Sequence, residues 1–141
     1  MLAYRAEFRG TPSSVRLARE AIVDYARLGA FTTDELSEIA LAAGEALANA
    51  VEHGNKDLGV IAVSCVFEND ALTIEVRDSG AGFDITHAKP RPRDPASVRG
   101  FGISIMHALM HEVAYSGRGA VVRLTRRRNV PAAATGLREE A

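Results

Sequence analysis

The spacing of apolar residues changes period several times along this chain, and neither an all-helical nor an all-strand fold accommodates both periods. Leu2, Tyr4, Ala6 and Phe8 alternate with Ala3, Arg5, Glu7 and Arg9, which predicts an opening strand with one buried face. After the turn signal Gly10-Thr11-Pro12-Ser13, the residues Val15, Leu17, Ala18, Ala21, Ile22, Tyr25 and Leu28 recur at helical spacing, and Gly29 supplies a stop. A second helix starts at Thr32, where Thr32-Thr33-Asp34-Glu35 has the form of a capping box, and runs to about His53-Gly54. The period then returns to two. Residues 60–67 are β-branched and apolar, Asn69-Asp70 is a turn pair, and Leu72, Ile74 and Val76 alternate with Thr73, Glu75 and Arg77, which predicts a hairpin. Residues 100–112 resume helical spacing through Ile103, Met106, Leu109 and Met110, and 113–115 with 120–125 predict a closing hairpin around Gly117-Arg118-Gly119. Strands and helices in this order give an α+β fold.

With 141 residues and 47% hydrophobic content, the chain has material for one core, expected over residues 1–128, with 129–141 as a flexible tail. The net charge of −1 gives no general attraction to nucleic acid or to anionic membranes. That neutrality is uneven: residues 1–70 hold 6 basic and 11 acidic side chains, whereas 71–141 hold 11 basic and 7 acidic. The basic excess gathers in 86–99 and in the run Arg126, Arg127, Arg128. Arg5, Glu7 and Arg9 interrupt any signal-peptide core, no run approaches a membrane span, and the single cysteine, Cys65, forms no internal disulfide. A soluble cytoplasmic protein is expected.

Between the two hairpins, residues 79–99 contain almost no apolar side chains beyond Phe83, Ile85 and Val98, so a long loop is expected, with a lid at about 83–99. On the second helix, Leu36, Ile39, Ala40, Ala43, Leu47, Ala50 and Val51 form an apolar stripe, and Glu45, Asn49 and His53 form a slanting row on the opposite side. Such a row reads first as a solvated face. Ala42, Ala46 and Ala48 around it suggest instead a shaved surface that a ligand approaches closely. Asn49 offers a neutral oxygen suited to Mg²⁺, and Glu45 offers a proton acceptor. Asp78-Ser79-Gly80-Ala81-Gly82 is either an ordinary tight turn or a strand end where a carboxylate accepts from an exocyclic amine such as that of adenine. Gly100-Phe101-Gly102 precedes a helix whose first N–H groups, through Ile103 and Ser104, suit an anion. His107 and His111 have a metal-capable spacing without a third ligand, and read as helix-edge histidines; Cys65 reads as core packing.

Taken in order, Glu45-x-x-x-Asn49, Asp78-x-Gly80-x-Gly82 and Gly100-x-Gly102 resemble the three boxes of the GHKL ATP-binding superfamily. The stretch Glu45-Ala-Leu-Ala-Asn49-Ala-Val-Glu-His53-Gly54 is most similar to its anti-sigma factor serine/threonine kinase branch. The resemblance implies a two-layer α/β sandwich of the Bergerat type, with a mixed, mostly antiparallel sheet and helices on one face. It implies a protein kinase using ATP and Mg²⁺ on a small anti-anti-sigma (STAS-like) substrate, with a sigma factor as second partner and a homodimer as assembly. Nucleotide-gated partner binding with little turnover and a split histidine-kinase domain are the alternatives. By the same resemblance, Glu45 is the general base, Asn49 ligates Mg²⁺, His53 lines the pocket and Asp78 binds adenine. Gly80 and Gly82 shape the base pocket, and Arg99, Gly100, Gly102 and Ile103 surround the phosphates. Arg99 stands where relatives often carry glycine, bulky Phe101 separates the two glycines that remain, and Ala120 stands where relatives commonly carry a hydroxyl near the adenine.

Overall fold

The computed structural model describes residues 2–54, 59–79, 100–117 and 120–128; the expected lid and tail, together with Gly80, Gly82 and Arg99, lie outside the described residues. Eight elements follow in the order β1 (Tyr4–Arg9), α1 (Pro12–Ala26), α2 (Thr33–His53), β2 (Val60–Glu68), β3 (Ala71–Asp78), α3 (Gly100–Leu109), β4 (Glu112–Ser116) and β5 (Val121–Arg127). The strands form one sheet in the order β1-β2-β3-β5-β4. All its described pairings are antiparallel, so the mixed component expected of the sheet is absent among the described residues.

Period two decides which face of the sheet meets the helices. Ile61, Val63 and Cys65 on β2, Leu72, Ile74 and Val76 on β3, and Val122 and Leu124 on β5 point into the core. They meet Ala18 and Ile22 of α1, Ile39, Ala43 and Leu47 of α2, and Met106 of α3. The opposite face carries charge: Glu75 accepts from Arg123 at 3.2 Å across the strands and from Arg77 at 3.5 Å along its own. Cross-strand pairs of this kind keep an open face soluble more than they stabilise it.

Several boundaries differ from the pattern reading. Leu2 is 89% exposed and precedes β1. Helix α1 ends at Ala26, and Leu17 and Leu28, which fit the helical spacing, are exposed. Helix α3 stops at Leu109, not at 112, because Glu112 already pairs with Thr125 in β4. Ala42 and Ala46 are fully buried, so these two alanines let α2 pack closely inside the protein instead of clearing a surface for a ligand.

The capping box forms as expected: the Glu35 N–H donates to Thr32 Oγ1 at 3.1 Å, and the Thr32 N–H donates to Glu35 Oε1 at 2.8 Å. The hairpin turn holds Asn69 and Asp70 both at positive φ, which these two residue types tolerate best after glycine. Beside that turn, Phe67 stacks on Tyr25 at 5.3 Å and Arg128 lies over the Phe67 ring while pairing with Asp70 at 3.0 Å. A Cβ at Gly29 would sit 2.7 Å from the Phe67 ring, so this close approach requires glycine.

Candidate functional site

The inward series Leu72, Ile74, Val76 on β3 continues by one more step to Asp78, so strand alternation places a carboxylate on the core face at the end of the sheet. Asp78 is only 8% exposed. Its backbone is tied on both sides: its N–H donates to Ala120 O at 2.9 Å, and Ser79 Oγ accepts from the Val60 N–H at 3.0 Å. The last turn of α2 closes in from above. A Cβ at Gly54 would lie 2.7 Å from Ala50 O and 3.6 Å from the Asp78 Cβ, so glycine lets the chain leave α2 directly beside the carboxylate.

These constraints create a narrow recess lined by Ala46, Asn49 and Ala50 of α2, Val76 and Asp78 of β3, Met106 of α3, Tyr115 of β4, Ala120, and Val122 of β5. Its enclosed space of about 10 Å³ is about that of one water. A broader hollow of about 460 Å³ lies on the outer face of the sheet among Arg5, Glu7, Glu75 and Arg77. Size alone favours the outer hollow, yet its walls are solvated side chains, partly neutralised by ion pairs. The recess instead combines apolar walls with a buried carboxylate and an amide.

Of the residues singled out in the sequence, Asn49 and Asp78 share the recess. Glu45 and His53 stand one turn to either side of Asn49 on α2, half-buried, but do not line it. They are not a fully solvated polar face. Gly100 opens α3, so Gly102 and Ile103 fall in its first turn, where N–H groups have no partner within the helix. Ile103 also buries its side chain in the core.

The site also contains residues that the pattern reading left unassigned. Tyr115 and Met106 line the recess, and burial pushes the Tyr115 hydroxyl above its ordinary pKa. The alternation of β4, with Val113 and Tyr115 inward, was the available signal. His111 is buried and lies beyond the end of α3, so it is not a helix-edge residue, and the i, i+4 geometry with His107 does not exist. Its Nδ1 accepts from the Arg127 N–H at 2.8 Å. Burial holds His107 below its ordinary pKa. Cys65 is buried in β2, and the same desolvation pushes its thiol up to about 12.

No group of three or more His, Cys, Asp or Glu side chains able to hold a metal occurs among the described residues. Mg²⁺ does not need such a cage, because it retains waters and takes oxygens from a bound polyphosphate. A single half-buried amide oxygen at Asn49 fits that mode of binding. The buried Asp78, sharing a recess with apolar Val76, Met106 and Val122, likewise offers an acceptor suited to an exocyclic amine.

A family model described as "Histidine kinase-like ATPase domain" matches residues 8–126, from the end of β1 to β5. The chain belongs to that family. A relative named "Anti-sigma F factor" from Geobacillus stearothermophilus is 36% identical over 88 residues, which cover 58% of this chain and 60% of that protein. A second "Anti-sigma F factor", from Thermoanaerobacter sp. (strain X514), is 28% identical over 117 residues, covering 77% and 82%. Among solved structures, the RsbU and RsbW domains of Rv1364c from Mycobacterium tuberculosis match with a TM-score of 0.64 at 20% identity, covering 90% of this chain and 32% of that one. That last likeness shows the α+β fold alone. Among the described residues, no helix is long and apolar enough to cross a membrane.

Proposed function

We propose that this histidine kinase-like ATPase domain binds ATP with Mg²⁺ and transfers phosphate to a Ser or Thr hydroxyl of a small anti-anti-sigma (STAS-like) protein, thereby regulating a sigma factor. The observation that carries the proposal is the juxtaposition of buried Asp78 with Asn49 in one recess. Further support comes from relatives named as anti-sigma F factors, one of them matching over 77% of this chain.

When bound, Mg·ATP supplies the phosphoryl group and a metal charge to offset what develops in transfer. The chain's own residues do the rest. Asp78 accepts a hydrogen bond from the adenine amine, in a setting where a buried acceptor discriminates strongly between bases. Asn49 presents its amide oxygen to the metal, and the first-turn N–H groups at Gly100, Gly102 and Ile103 receive phosphate oxygens, favoured by the helix dipole. Glu45, one helical turn before Asn49, takes the proton of the attacking hydroxyl at a carboxylate oxygen. His53, one turn past Asn49, stands outside the recess and is given no part in the transfer. Gly80, Gly82 and Arg99 are assigned to the base pocket and phosphates from their place in the motifs alone.

The test uses labelled ATP, Mg²⁺ and small STAS-like proteins as acceptors. Acid-stable label on the acceptor, lost in Glu45→Ala, is the expected result. Acid-labile label would identify a histidine kinase instead. Nucleotide binding without any transfer would leave a nucleotide-gated binder, and absence of binding would overturn the assignment altogether.

A further inference from the structure

We propose that Arg126 is a positioning residue, which sets the phosphate-facing first turn of α3 against Asn49 by clamping the opposite ends of the two helices. What is positioned rests on the nucleotide site proposed above; the clamp itself rests on geometry.

Arg126 is the one buried basic side chain among the described Lys and Arg residues, at 2% exposure. Its guanidinium reaches two helices from β5. One terminal nitrogen donates to Leu109 O at 2.8 Å, the carbonyl of the last residue of α3. The other donates to Glu38 Oε1 at 2.9 Å and lies 3.8 Å from Glu35 Oε2. Glu35 uses its second carboxylate oxygen in the α2 capping box, so the clamp is joined to the start of that helix. The Nε of Arg126 has no hydrogen-bond partner among the described residues. A burial that leaves one donor unsatisfied is poorly explained by stability alone, since an apolar side chain would fill the same space without it.

The clamp acts at a distance because helices are stiff. Leu109 is held to the first turns of α2, while Met106, one turn earlier on α3, already meets Ala46, Asn49 and Ala50 of its second half. Gly100 lies six residues before Met106, about 9 Å farther along α3. Fixing α3 at Leu109 therefore sets how far Gly100 and Gly102 extend along α2 past Asn49. A lysine keeps the charge but offers a point donor in place of a fork, and so cannot hold a carbonyl and a carboxylate in the same fixed geometry.

The experiment compares the full chain with Arg126→Lys, Arg126→Met and, as a stability control on the sheet, Val63→Ala, at a temperature where each is folded. Binding of a fluorescent ATP analogue is read beside amide hydrogen exchange in the first turn of α3. The expected result is an affinity loss of about tenfold for Arg126→Met, with KM for ATP rising more than kcat falls. Arg126→Lys should fall between it and the wild type, and Val63→Ala should bind normally despite a lower melting temperature. Exchange in the first turn of α3 should quicken in the Arg126 variants and not in Val63→Ala. Wild-type exchange there in both Arg126 variants, or equal affinity losses in Val63→Ala, overturns the clamp. Failure of the wild type to bind nucleotide would refute the site and leave the exchange measurement to judge the clamp.

Discussion

The two ends of α2 are built from similar polar residues and treat them in opposite ways. At the N-terminal end, Thr32 and Glu35 bond each other's backbone, and Glu35 and Glu38 face the Arg126 guanidinium. At the C-terminal end, Asn49 and Asp78 line a recess with apolar walls. The first end is a structural joint and the second the candidate site, and the difference comes from their neighbours, not from their composition. Polar groups that tie fixed elements together stabilise position; those that line a hollow with apolar walls are the candidates for recognition.

Substitutions that fall on one end and spare the other put this contrast to the test. The largest effect is expected from Asp78→Asn, which should weaken ATP binding by about a hundredfold, about 2.7 kcal/mol, while the melting temperature changes little. Calorimetric titration alongside a thermal melt separates the two; a large loss of stability with unchanged affinity would make Asp78 a structural residue. Next is Gly54→Ala. Its new Cβ would press on Ala50 O at 2.7 Å, so a cost of about 2 kcal/mol is expected in a urea melt, with ATP affinity falling because the end of α2 must move away from Asp78.

At the other end, Thr32→Ala removes the cap and should cost about 1 kcal/mol, with ATP affinity within about threefold of wild type. Equal affinity losses at Thr32 and Gly54 would erase the distinction between joint and site. The smallest effect belongs to neither end. Cys65 titrates at about 12 in the folded chain against 9.0 for a free thiol, so the unfolded chain ionises first and stability falls as pH rises from about 9 toward 12. At about pH 9.5 the loss should be under about 1 kcal/mol, and Cys65→Val should abolish that slope without altering ATP binding. A slope that persists in Cys65→Val must come from another group.

Much of the architecture was legible because it depends on local chemistry. The capping box at Thr32 and Glu35, the turn at Asn69-Asp70 and the alternation of β2 and β3 each follow from neighbours within a few residues. Boundaries set by distant partners were not legible. Helix α3 continues in pattern to Glu112, but the backbone of residues 111 and 112 is committed to β5, which ends the helix at Leu109. Leu17 and Leu28 fit the helical stripe yet remain exposed, since spacing says which residues share a face and not how wide the covering layer is.

In the site, Asn49 and Asp78 were candidates because Glu45-x-x-x-Asn49, Asp78-x-Gly80-x-Gly82 and Gly100-x-Gly102 in that order resemble the GHKL boxes; each pattern alone reads as readily as a polar helix face or a tight turn. Their meeting in one recess, and the presence of Tyr115 and Met106 beside them, required the strands and helices to be assembled. The run Arg126, Arg127, Arg128 makes the division plainest. In sequence these are three equal charges. In the structure Arg126 is buried in a clamp, Arg127 gives its N–H to His111, and Arg128 covers Phe67 and pairs with Asp70. The sequence by itself determined the secondary elements, their order and the chemistry available at each position, because those depend on contacts a few residues apart. Which polar groups join distant elements and which line a recess was decided only by tertiary structure, because both depend on partners far away in the chain, as Arg126 and Glu38 are.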